Sequence, residues 1–309
     1  MSDGVPPHSR IEKILLGIGP FVVLGVVLAF LVVTSPFGDI DGLSDASTPE
    51  MLWMLTIVGT IAGVIPVLIG MLWYPFLRTL RAQWIYAVLA LSAGVLTFAA
   101  GEMVGGILSN AGSAPTRSAV LAVGGAVGAF VVLLGISRWR YSKIEAGSAE
   151  RSIQVAYLIA IGLGLHSIGE GMAIGTAFVQ DEPRLMMLLV IAFLLDNVTE
   201  GPTIVAAVAS DLSRPPLYHF AVMGIIAGGP VVVGGWIGSL ADSPMLAVLF
   251  FAIGLGAILQ VIYEIVKFIG FSAGGSLWTA FTRLNGITFV AGFILMVFID
   301  EVLIDMFLF

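Results

Sequence analysis

The chain contains no cysteine. That excludes disulfides, thiolate metal ligands and cysteine nucleophiles. Charge is also scarce: Asp, Glu, Lys and Arg make up 11% of the 309 residues, against about 25% in a soluble domain. The 13 basic residues are outnumbered by 20 acidic ones, for a net charge of −7. A chain so poor in basic residues offers no surface to nucleic acid, and none is expected as a partner. What the sequence has instead is apolar length. It is 59% hydrophobic with a mean hydropathy of +1.07, which points to a polytopic membrane protein with spans of about 20 residues.

Nine such spans are legible, at 14–34, 52–77, 83–109, 117–137, 152–179, 184–210, 216–239, 244–268 and 286–307. The joints between them carry turn signals such as "SPFGDIDGLSD", "SNAGSAPTR", "QDEPR" and "ADSP". The predicted fold class is an all-α polytopic membrane helix bundle. The first span is too long for a signal-peptide core and no A-x-A pattern follows it, so it is read as a retained helix. Most of the 38 glycines fall within spans, as close helix–helix packing requires.

With the N-terminus placed in the cytoplasm, the inside segments hold Arg10, Lys13, Arg78, Arg81, Arg138, Arg140, Lys143, Arg151, Arg214, Lys267 and Arg283. The outside loops hold only Arg117 and Arg184. The bias favours a cytoplasmic N-terminus and an external C-terminus. The acidic loop 35–51 is then external and the basic loop 138–151 cytoplasmic.

Few ionisable residues lie well inside the spans: Glu102, His166, Glu170, Asp196, Glu200 and Glu264. A charge at mid-membrane costs on the order of 2.5–3.5 kcal/mol on insertion scales, so such groups must pair, take protons or bind a cation. His166 and Glu170 are four residues apart and share a helix face. Asp196 and Glu200 repeat that spacing on the next span, and "LHSIGEG" aligns with "LDNVTEG" without gaps. Oxygens converging with one imidazole suit a divalent cation. Ser167 and Asn197 are either ligands or interhelical hydrogen-bonding groups. Glu102 is a candidate pathway residue. Asp300 and Glu301, near a helix end, read as interfacial or solvated.

"HSIGEGMAIG" resembles the fourth core helix of the ZIP (Zrt/Irt-like) metal transporters, with its pattern H-[NS]-x-x-E-G-x-A-[IL]-G. "DNVTEG" resembles the fifth, usually [HQ]-[DE]-x-P-E-G. The likeness covers about residues 50–309. It implies two units: 1–50, holding the N-terminal tail, an extra transmembrane helix and an acidic external loop, and 51–309, an eight-helix transport domain. It further implies a mid-membrane, binuclear site with His166, Ser167 and Glu170 from one helix, Asp196, Asn197 and Glu200 from the next, and Glu264 from a third. The family's prolines are replaced by Gly169 and Thr199, and Tyr263 stands where the family has a histidine. Gly169 and Pro202 are expected to loosen their helices locally.

The function expected from this likeness is transport of a divalent transition metal (zinc, iron(II) or manganese) across the plasma membrane toward the cytosol. The metal is substrate, and no cofactor is expected. The expected partners are divalent metal ions and the lipid bilayer, with a homodimer left open. A proton- or sodium-coupled carrier of another solute would need only the carboxylates. An intramembrane metalloenzyme is disfavoured, because H-E-x-x-H is absent and the di-iron order E-x-x-H does not occur twice.

Overall fold

The computed structural model of the protein describes residues 9–34, 47–112, 115–141, 149–180, 183–209, 215–240 and 243–308. All regular structure among them is helical: α1 (Arg10–Thr34), α2 (Thr48–Gly59), α3 (Ile65–Met71), α4 (Tyr74–Leu77), α5 (Ala82–Asn110), α6 (Pro115–Tyr141), α7 (Ala149–Val179), α8 (Pro183–Ala209), α9 (Leu217–Gly228), α10 (Pro230–Leu240), α11 (Pro244–Gly274) and α12 (Arg283–Leu308). Among the described residues, nine helical spans are long and apolar enough to cross a membrane, from Arg10–Leu31 to Arg283–Val302. The protein is an all-α polytopic membrane bundle, and the expected spans agree with the observed ones to within a few residues. The loop segments 35–46 and 142–148, and Arg214, which enter the basic-residue count, lie outside the described residues.

Burial ranks the helices. The spans built on α7 and α8 are 61% and 67% buried, against 11% for α1 and 6% for α6. The polar helices therefore occupy the middle. The outer helices present apolar side chains such as Phe30, Val120 and Val131 to the lipid. That distribution is what a solvent of hydrocarbon demands.

Glycine sets the distance between α7 and α10. A Cβ on Gly171 would run into the Val231 carbonyl, and one on Gly175 into that of Gly235. Reciprocally, a Cβ on Gly234 would meet the Ile168 carbonyl and one on Gly238 that of Met172. The two backbones are in contact along two turns, which is the small-residue packing expected between helices that gain nothing hydrophobic by leaving lipid. The second span is fastened similarly, with α3 against α8 through Gly70 and Gly201.

The helix irregularities fall elsewhere than expected. α7 runs unbroken through Gly169, and α8 through Pro202. Pro202 has no amide to give the Val198 carbonyl. That carbonyl instead lies against Gly70, where no Cβ stands in the way. The interruptions occur in two other spans. A π-helical turn at Thr60–Val64 separates α2 from α3, beside hydroxyls of Thr56 and Thr60 that donate back to the carbonyls of Leu52 and Thr56. Gly229 and Pro230 divide α9 from α10.

The N-terminal helix is attached rather than separate. Trp73 donates its indole N–H to the Gly17 carbonyl at 2.9 Å, and Phe21 meets the Trp73 ring edge-on. The expected unit boundary at residue 50 falls in the first turn of α2, where the Ser47 amide donates to Glu50 at 3.0 Å.

Candidate metal centre

α7 and α8 lie side by side at the centre of the bundle, and the four-residue spacing on each turns its polar pair to the other. His166 Nε2 stands 3.1 Å from Glu170 Oε1 on its own helix. Across the interface it stands 3.8 Å from Asp196 Oδ2 and 3.9 Å from Glu200 Oε1. Asn197 closes the group by donating to Glu170 Oε2 at 2.9 Å, its second amide hydrogen bond going to the Phe193 carbonyl. All five residues are buried. One ligand atom from each of His166, Glu170 and Asp196 lies within 4.8 Å of the others.

The hydrogen bonds do not add up to a closed network. His166 Nδ1 and Nε2, Glu170 Oε1, Asp196 Oδ1, Asn197 Oδ1 and both Glu200 oxygens are buried without a hydrogen-bond partner. The imidazole approaches Glu170 closely but out of alignment for a hydrogen bond. Native interiors satisfy the large majority of such atoms, and an unpartnered buried carboxylate carries a penalty of several kcal/mol. These atoms lie on one imidazole, three carboxylates and one amide, and His166, Glu170 and Asp196 bring one ligand atom each into a common site.

Second contacts hold the shell in place. Gly254 of α11 leaves room for the His166 backbone, since a Cβ there would come within 3.3 Å of the His166 Cα. Met103 and Phe251 pack beside Gly169. Ser167 is fully buried, but its hydroxyl donates to the Leu163 carbonyl at 3.0 Å, so it serves its own helix. Thr203, which sequence reading passed over, is buried with an unpartnered hydroxyl. It stands three residues after Glu200 and seven after Asp196, on the same face of α8; that spacing was the available signal.

Glu264 does not join this cluster. Gly254 marks the level of His166 on α11, and Glu264 lies ten residues further along the same helix, about 15 Å away by helical rise. There it accepts from Ser137 of α6, from Gln260 at 3.4 Å and from Lys267 at 3.5 Å. The expected third-helix ligand is thus one partner of an internal ion pair.

Glu102 and Asp300 behave otherwise. Both line a small crevice with Asp196, together with Phe98, Phe193 and Met296. Asp196 faces His166 as well, so the crevice adjoins the cluster. Asp300 is only partly buried, as an interfacial residue would be, and α12 places it on the side of the bundle where Glu102 sits. Glu301 is exposed.

The chain matches no known family model and no curated protein. What fold and site define is a class: an integral membrane helical protein with a buried His/Glu/Asp cluster able to hold a metal ion.

Proposed function

We propose that the chain is a carrier for divalent metal ions, of the ZIP type that the α7 and α8 motifs resemble, and not an enzyme. The observation that carries the reading is the convergence of His166, Glu170 and Asp196, one ligand atom of each within 4.8 Å of the others, beside a buried Glu200 whose carboxylate oxygens have no hydrogen-bond partner. A divalent cation can take one imidazole nitrogen of His166 together with carboxylate oxygens from Glu170, Asp196 and Glu200. A structural hydrogen-bond network would have paired them. One imidazole among three carboxylates suits manganese or iron(II) at least as well as zinc, which prefers nitrogen and sulfur.

In this reading the ion is substrate. It approaches through the crevice between Glu102, Asp300 and Asp196, exchanges water for the donors of the cluster, and leaves when the bundle rocks about the fixed site. With the N-terminus cytoplasmic, the crevice lies toward the outside and Glu264 toward the inside, in the plasma membrane of the cell. The ion pair of Glu264 with Lys267 argues for one ion at the cluster rather than a second ion held by Glu264.

The test is metal uptake by liposomes containing the purified protein, across zinc, iron(II), manganese and cadmium. The double variant Glu170→Gln, Glu200→Gln is expected to insert and purify normally and to lose uptake of every ion. Uptake at the normal rate would show that the paired motif is structural and end the proposal.

A further inference from the structure

Between α1 and the body of the bundle lies a crevice of about 700 Å3. It is independent of the metal centre. Its walls are apolar, with Phe21, Trp73, Phe76, Val88, Leu91 and Leu295 among them. The two hydroxyls that reach it are already used: Ser92 donates to the Val88 carbonyl at 3.1 Å and Thr199 to that of Asp196 at 2.7 Å. Charge enters at one end only, where Arg10 and Lys13 stand on the first turn of α1. Among the described residues neither has a carboxylate partner. Glu12 between them turns back to accept from the Ser9 amide at 2.7 Å.

The dimensions identify the occupant. From Arg10 to Phe21 the crevice follows eleven residues of α1, about 16 Å by helical rise. One leaflet of hydrocarbon is about 15 Å deep, half of the roughly 30 Å core. Arg10 and Lys13 then stand at the depth of the phosphates, where long basic side chains reach the interface. An apolar slot one leaflet deep, topped by two cations, has the shape and charge of a bound phospholipid with a net negative head group. We propose that this crevice is a binding site for an anionic phospholipid, with an acyl chain between α1 and the bundle and the phosphate on Arg10 and Lys13. The chain of such a lipid rests on Thr199 and Pro202, directly behind Asp196 and Glu200, and braces α8 from the lipid side.

The experiment is native mass spectrometry of the full chain in detergent, titrated with phosphatidylglycerol or phosphatidylcholine of identical chains. The wild type is expected to hold the anionic lipid on the order of tenfold more tightly, from two basic side chains near the head group. Arg10→Gln with Lys13→Gln should bind both lipids equally and weakly, with an unchanged melting profile, because both side chains are exposed. Ile18→Trp, at a half-exposed crevice position, should lose both lipids by filling the slot. Equal affinity of the wild type for the two lipids, or a preference that survives the double glutamine variant, would overturn the proposal. So would a dimer that Ile18→Trp splits into monomers, which would assign the crevice to a second copy of the chain.

Discussion

Replacing Glu200 with glutamine should stabilise the metal-free protein and abolish its stabilisation by metal. Glu200 is buried, neither carboxylate oxygen has a hydrogen-bond partner, and the imidazole of His166 stands 3.9 Å away. An ion in that position costs several kcal/mol after relaxation. A carboxamide of the same shape left equally unpartnered costs about 1–3 kcal/mol. The difference favours the variant by roughly 1–3 kcal/mol in the presence of chelator, a rise of a few degrees in Tm. Metal reverses the order. At a concentration a hundredfold above Kd, the wild type gains about 2.7 kcal/mol, and the variant, short of one charged ligand, gains little. The assay is a melting curve read by tryptophan fluorescence, because the chain has six tryptophans and no cysteine for a thiol dye. Curves for the two proteins in chelator and in saturating manganese or zinc should cross. A variant that melts below the wild type in chelator, yet keeps the wild-type shift with metal, would refute the argument: Glu200 would then be a structural hydrogen-bonding group.

Three further outcomes are expected. Glu264→Gln should leave the metal-induced melting shift unchanged and lower Tm in all conditions. It removes the carboxylate 3.5 Å from Lys267, which is 21% exposed and also lies over the Tyr263 ring, so the loss should be about 1–3 kcal/mol rather than the full cost of breaking a buried pair. Gly175→Val should prevent recovery of monodisperse protein, since its side chain would drive into the Gly235 backbone and overpacking against main chain costs more than about 3 kcal/mol; Gly101→Val, with open space around its Cβ, should purify as the wild type does. Cysteines placed at Ser142 and Ser44 should differ toward an impermeant reagent in intact cells, with Ser44 labelled and Ser142 protected; the reverse pattern would invert the proposed orientation.

The spans were legible in the sequence because lipid leaves little choice. A segment of about 20 apolar residues must close its own hydrogen bonds, and only a helix does so. The finer path of those helices was not legible to the same degree. Pro202 reads as a break, but a proline frees only one carbonyl, and α8 disposes of it against Gly70. The π-helical turn at Thr60–Val64 carries no proline at all. Its traces in the sequence are Pro66 just after it, which has no amide to give the Ala62 carbonyl, and the pair Thr56 and Thr60, whose hydroxyls compete for backbone carbonyls four residues back.

The candidate site divides along the same line. His166 with Glu170, and Asp196 with Glu200, could be paired from spacing, since a four-residue interval fixes which side chains share a face of their own helix. It does not fix the level at which one helix meets the next. That level depends on where two backbones touch, and here glycine decides it: Gly254 sets α11 against His166, while Gly234 sets α10 against Ile168. Once Gly254 is taken as the reference, Glu264 falls almost three turns beyond the cluster, and its pairing with Lys267 three residues on follows from the same helical geometry. The neighbourhood of Asp300 was not legible for the matching reason. Its place near the end of the last span suggested the interface or solvent, and it is partly exposed; what spacing could not give is the contact of Gly292 with Leu91 and of Gly94 with Phe289, which brings α12 onto α5, so that Asp300 comes level with Glu102. In this bundle the carboxylates and the imidazole supply the chemistry, and the glycines determine which of them meet.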